Sequence, residues 1–204
     1  FDLASTMEGV ISLGVGEPDF ATPWHICENA IHYMSTGHTH YTANRGLLEL
    51  REEICKFHKE HYNQVYDPEN EVIVTIGGSE AIDLCMRALL NPGDEVIVLD
   101  PNYVAYAPSV ILSDGVVVPL KLKEEDFKIL PEDLKKVITP KTKAMIINYP
   151  SNPTGGVMTK KDYAKIIDII KESGIYVISD EIYAELSFDQ PFASLAQFDE
   201  IKSQ

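Results

Sequence analysis

The chain has 204 residues, 45 % hydrophobic and 24 % charged, which bounds it to one globular domain or one and a fraction. Its 17 basic and 32 acidic residues argue against nucleic acid or an anionic membrane as the principal partner, since both need basic patches. The longest nearly apolar stretches, such as 144–147 and 175–179, are strand-sized and fall far short of the ~20 residues of a membrane helix. Cys27, Cys55 and Cys85 each sit among apolar residues at helical spacing, with no CxxC pair. Buried free thiols and a reducing, cytoplasmic setting are therefore expected. His38 and His40 resemble a metal pair, but no carboxylate or cysteine completes a set, and no metal is expected.

In chain order, 1–22 is irregular, broken by Gly14, Gly16 and Pro18. Ile26, Cys27, Ala30, Ile31 and Met34 predict a helix over 24–35; Leu47, Leu50, Ile54, Phe57 and His61 predict a second over 47–61. From residue 71 the rhythm alternates. Strands are predicted at 71–76, 95–99, 116–120, 143–147 and 175–179, and helices at 79–90, 103–112, 131–138 and 159–173. The strands are apolar on both faces. This is the pattern of a mainly parallel α/β sheet with helices on both faces, whose ligands bind beyond the carboxyl ends of the strands.

The residues that carry chemistry fall at those ends. Gly77-Gly78-Ser79-Glu80 turns from a strand into a helix, which offers unblocked N–H groups to an anion; the alternative is an ordinary turn with Ser79 as N-cap. Asp180 follows the strand 175–178, where it can pair with a protonated ring nitrogen and make that ring an electron sink; it can equally be an N-cap or a metal ligand. Tyr183 lies three residues on, within reach of the same ligand. The segment 148–156, with two prolines and two glycines, makes a stiff loop that can hold Asn152 at a defined point. Tyr103, after the strand 95–99, can stack on a flat ring or serve as a core aromatic.

Together these segments resemble the class I/II aminotransferases of fold type I, the aspartate aminotransferase superfamily, which use pyridoxal 5'-phosphate. The matching stretches are Leu13-Gly14-Val15-Gly16-Glu17-Pro18-Asp19-Phe20, His40-Tyr41-Thr42-Ala43-Asn44-Arg45-Gly46-Leu47, 77–81, 150–155 and 179–183, in family order across essentially the whole chain. The resemblance implies that Gly78, Ser79 and Glu80 cradle the cofactor phosphate. It implies that Tyr103 stacks on the ring, Asp180 pairs with its nitrogen, and Asn152 and Tyr183 hydrogen-bond its 3-oxygen. Asn152 and Gly16 would also line the substrate pocket. Tyr41 would reach the phosphate bound by the other subunit, so a homodimer acting on an amino acid and a 2-oxo acid is the expected state.

The resemblance further divides the chain into a leading segment and helix, 1–37, and an incomplete cofactor-binding large domain, 38–204. The lysine that holds the cofactor covalently in this family, and the C-terminal small domain, would lie past Gln204, so these 204 residues alone are expected to be inactive. Two alternatives share most of the motifs: a C–S β-lyase of the cystathionine type, and a non-catalytic regulator domain on the same fold.

Overall fold

The computed structural model describes residues 6–11, 14 and 16–201. The chain divides into two compact units, Phe1–Thr42 and Ala43–Gln204. In the first, helix α1 (Trp24–Ser35) forms as its spacing predicts, yet it buries none of its residues, and Ile26, Ile31 and Met34 are all exposed. Its last turn is closed by Thr36, whose hydroxyl donates to the His32 carbonyl at 2.8 Å.

The second unit is built on a parallel sheet of β1 (Glu95–Asp100), β2 (Val116–Lys121), β3 (Thr142–Asn148) and β4 (Tyr176–Asp180), in spatial order β2-β1-β3-β4. Around it lie α2 (Leu48–Tyr62), α3 (Gly78–Leu89), α4 (Tyr106–Leu112), α5 (Pro131–Val137), α6 (Lys160–Ala164) and α7 (Ile167–Ser173). Successive strand residues face opposite sides, so strands without a polar face need cover on both. Val96, Val98, Ala144 and Ile146 pack with Ile82 and Met86 of α3 and with Tyr106 and Val110 of α4. Ile97, Leu99, Met145 and Ile147 pack with Leu134 of α5, Tyr163 of α6 and Ile167 and Ile170 of α7. Each such aliphatic side chain contributes about 1.5–3 kcal/mol on burial, and a one-residue slip of β3 would exchange the two sets.

Local chemistry fixes the ends of several elements. Pro131 opens α5 at a position where its missing N–H is harmless. Thr159 caps α6 by a reciprocal pair of bonds with Asp162. Gly174 ends α7 with φ 66, which favours glycine.

Four sequence expectations are corrected. The segment 71–76 forms no strand: no neighbouring strand lies alongside it among the described residues, and Ile73 and Ile76 are 61 % and 93 % exposed. The helix expected over 159–173 is two, α6 and α7. At the break Lys165 and Ile166 bond three residues back instead of four, and Tyr163, Ile166, Ile167 and Ile170 are all buried. The helix expected from Tyr103 begins at Tyr106. The three cysteines are free, but each is half-buried rather than buried.

Candidate active site

Because the strands are parallel, their carboxyl ends share one rim. The chain leaves β1 to place β2 on one side and later places β3 on the other. The crevice between the ends of β1 and β3 is thus a topological switch point, where open sheets of this class hold ligands.

Asp180 is the last residue of β4. Its Oδ2 accepts from the Tyr106 hydroxyl at 2.7 Å, and its Oδ1 accepts from the Ile182 N–H at 3.2 Å. Tyr106 is 2 % exposed. Burial, and then the bond to Asp180, pushes its hydroxyl well above the usual phenol range, so it remains a donor at neutral pH. Tyr103 lies one turn earlier, its half-buried ring edge-on to Tyr106 with centroids 5.5 Å apart.

Asn148 ends β3 directly opposite Asp180 in the strand register. Its Nδ2 donates to the Asp180 carbonyl at 2.9 Å, and its Oδ1 accepts from the Asn152 N–H at 2.8 Å. Asn152 in turn donates through Nδ2 to the Tyr183 hydroxyl at 3.4 Å. The loop between them is closed on itself: the Ser151 N–H donates to the Gly156 carbonyl at 2.9 Å and the Gly155 N–H to the Ser151 carbonyl at 2.8 Å. Asp180, Asn152, Tyr183 and Tyr103, singled out from sequence, are therefore joined in one hydrogen-bonded and ring-contact chain.

On the neighbouring position, Glu181 accepts from the hydroxyls of Ser179 and Ser194 at 2.8 and 2.5 Å. Burial raises its carboxyl, an effect the two serine bonds only partly offset.

Residues 90–94 join the end of α3 to the start of β1, so α3 runs against the strands and its first turn lies at the rim where they end. Ile82 of α3 and Ile178 of β4 share one core. Gly77, with φ 81, is the N-cap and makes no side-chain cap bond; Ser79, the alternative N-cap from sequence, lies inside the first turn instead. Glycine is favoured at Gly77 because its φ lies in the left-handed region. The N–H groups of Gly78, Ser79 and Glu80 belong to a helix start, where intrahelical acceptors are lacking. A Cβ at Gly77 or Gly78 would meet nothing within 4 Å, and residues 77–80 are all exposed. The Glu80 carboxylate folds back to accept from the Ile76 N–H. Gly16 and Tyr41 belong to the first unit and are exposed in it. Leu13 and Val15 of the first motif lie outside the described residues.

Sequence reasoning missed Tyr106 and Asn148 as site residues. Each left a signal: Tyr106 is one helical turn from Tyr103, and Asn148 is a polar residue closing an apolar strand, as Asp180 closes its neighbour.

Residues 8–202 match the family described as aminotransferase class I and II. The chain is 46 % identical to an aspartate aminotransferase of Pyrococcus abyssi, over 93 % of this chain and 49 % of that protein. It is 44 % identical to aromatic-amino-acid aminotransferase 2 of Thermococcus litoralis, again over 93 % of this chain and 49 % of the relative. The solved structure of an aromatic aminotransferase from Pyrococcus horikoshii OT3 superposes with a TM-score of 0.91 at 45 % identity, over 95 % of this chain and 52 % of that one. The chain spans about half the length of the curated relatives it matches. A match across nearly every residue, on the same sheet, shows that the chain belongs to the class I and II aminotransferases.

Proposed function

We propose that this chain carries the cofactor-binding part of an aminotransferase that uses pyridoxal 5'-phosphate to move an amino group from an amino acid to a 2-oxo acid. The observation that carries this reading is the Asp180 carboxylate, bonded to the buried Tyr106 hydroxyl at the strand-end rim. A rigid carboxylate suits a protonated ring nitrogen, because opposite charges at close range favour both ionised forms. The residues present fit the cofactor. The Gly77–Gly78 turn is exposed, first-turn amides suit a phosphate, and Asn152 and Tyr183 offer two polar groups 3.4 Å apart for a ring oxygen. When bound, the cofactor supplies a ring that withdraws the charge left as an amino acid loses its α-proton.

The chain's own residues then divide the work. Gly78, Ser79 and Glu80 bind the phosphate through backbone N–H, Tyr103 covers a ring face, and Asp180 keeps the ring nitrogen protonated. Asn152 and Tyr183 orient the 3-oxygen. Asn152 also helps place the substrate carboxylate, and Gly16, having no side chain, would leave room for it. Residues 38–204 act as the cofactor-binding domain behind a leading segment, 1–37. In a homodimer, the exposed Tyr41 contacts the phosphate held by the second subunit. Among the described residues no helix is long and apolar enough to cross a membrane. The free cysteines support a reducing, cytoplasmic setting.

The test is Asp180→Asn in the full-length protein, assayed for amino transfer from aspartate, glutamate or an aromatic amino acid to a 2-oxo acid. Breaking a desolvated ion pair costs ~3–5 kcal/mol, so turnover should fall by a few hundred- to a few thousandfold, as about 1.4 kcal/mol per tenfold requires. Wild-type turnover by the variant, or no transfer from any donor by the native protein, would sink the proposal. Pyruvate and ammonia released from cystathionine, without transfer, would point to a β-lyase.

A further inference from the structure

The two loops proposed to hold the cofactor ring follow different strands, with Asn152 and Tyr183 lying 31 residues apart in sequence. One side chain joins them. Asn148 is 4 % exposed, so its amide must find its partners inside the protein. Its Nδ2 reaches across to the Asp180 carbonyl at 2.9 Å, while its Oδ1 receives the Asn152 N–H at 2.8 Å. Pro150, two residues on, has no N–H with which the backbone could continue donating. The amide side chain supplies a donor beyond the last strand pair, Asn148 with Asp180. It also needs both of its ends: a carboxamide is a donor and an acceptor on one rigid plane, and each end here has one backbone partner.

We infer that Asn148 is a positioning residue, resting on the cofactor reading above, that holds the Asn152 side chain at a fixed height over the Asp180 strand end. It acts through Asn152 and touches no ligand itself. With the strut in place, Asn152 presents its Nδ2 beside the Tyr183 hydroxyl, so the 3-oxygen of the ring meets both groups while its nitrogen meets Asp180. Without it, the Asn152 N–H loses its partner and the loop can settle away from β4.

The experiment is a double-mutant cycle on the dissociation constant of pyridoxal 5'-phosphate from the full-length protein, using Asn148→Ala, Asn152→Ala and both together, with the melting temperature followed in parallel. Each single variant should weaken binding about tenfold, the usual effect of orphaning one buried hydrogen-bond partner. The double variant should fall well short of the hundredfold that independence requires, because Asn148 has little left to position once the Asn152 side chain is gone. If Asn148→Ala does not fold, Asn148→Ser carries the same cycle, since its short side chain cannot span both partners. Additive losses, or an Asn148 variant that lowers the melting temperature while leaving cofactor affinity intact, overturn the positioning role and leave the cofactor proposal standing. An Asn152→Ala protein that binds the cofactor as tightly as wild type overturns Asn152 as a ring contact, and the role of Asn148 with it.

Discussion

Tyr106→Phe isolates one oxygen atom. The ring keeps its place against Tyr103 and in the core of Val98, Val110 and Ile146. What disappears is the hydroxyl that donates to Asp180 Oδ2 at 2.7 Å, while the Ile182 N–H on Oδ1, at 3.2 Å, remains. A hydrogen bond to a charged group contributes ~1.5–3 kcal/mol, and the phenyl ring leaves no sizeable cavity, so the loss should fall in that range. Equilibrium unfolding in urea at pH 7 reads it as a lowered midpoint with an unchanged slope. The pH dependence gives a second check. Burial and Asp180 raise the Tyr106 hydroxyl above its ordinary 10.0. As pH climbs past about 10 the unfolded tyrosine ionises and the folded one does not, so the unfolded state binds fewer protons and wild type loses stability. The gap between wild type and Tyr106→Phe is therefore fully present below about pH 10 and closes above it. A variant within ~0.3 kcal/mol of wild type at pH 7, or a gap unchanged at pH 11, would refute the assignment of Tyr106 as the donor to Asp180.

Two further outcomes concern carboxylates that are not proposed to touch the cofactor. Asp162 accepts from the Thr159 hydroxyl at 2.7 Å and pairs with Lys128 and Lys165, each at 2.9 Å. Burial alone would raise its carboxyl, but the Thr159 and lysine contacts outweigh it and hold it well below the ordinary 3.8. Asp162→Asn should cost about 2 kcal/mol at pH 7 by urea unfolding, with the difference fading only as pH falls from about 4 toward the lowered value. Glu181 shows the opposite sign: burial raises its carboxyl above 4.5, so the native charge is a growing liability as pH rises. Glu181→Gln can still accept from Ser179 and Ser194, and by urea unfolding should gain on wild type as pH rises from about 4 to about 7. A constant difference across that range would contradict the assignment.

The sheet was legible because its signal is redundant. Each strand is a run of apolar residues, each follows a turn or a helix stop, and the parallel reading needs only that alternation. The segment 71–76 carries the same apolar signal and forms no strand, since composition records that a segment can be paired but not whether a neighbour lies beside it. The end of α6 at Ala164 was equally hidden. Nothing local breaks a helix at Lys165, and the break belongs to the packing of Tyr163 and Ile166. At the site, glycine-rich turns and an aspartate ending a strand are visible in one dimension. The roles of Tyr106 and Asn148 are not, because their partners lie 74 and 32 residues away and the bonds exist only once β4 sits beside β3.

Tyr62 ends α2, yet both of its anchors are made much later. Its hydroxyl donates to Glu185, and its carbonyl accepts from Gln197 Nε2 at 3.1 Å, across separations of 123 and 135 residues. During synthesis the C-terminal turn of α2 must wait for residues 123 and 135 positions further along the chain before it is clamped. Contacts that close such long stretches of chain form slowly relative to neighbouring ones. The end of this helix is thus secured later than its own local bonds form. A protease that nicks the exposed stretch at Phe188 would loosen the distant end of α2 as well as the turns beside the cut.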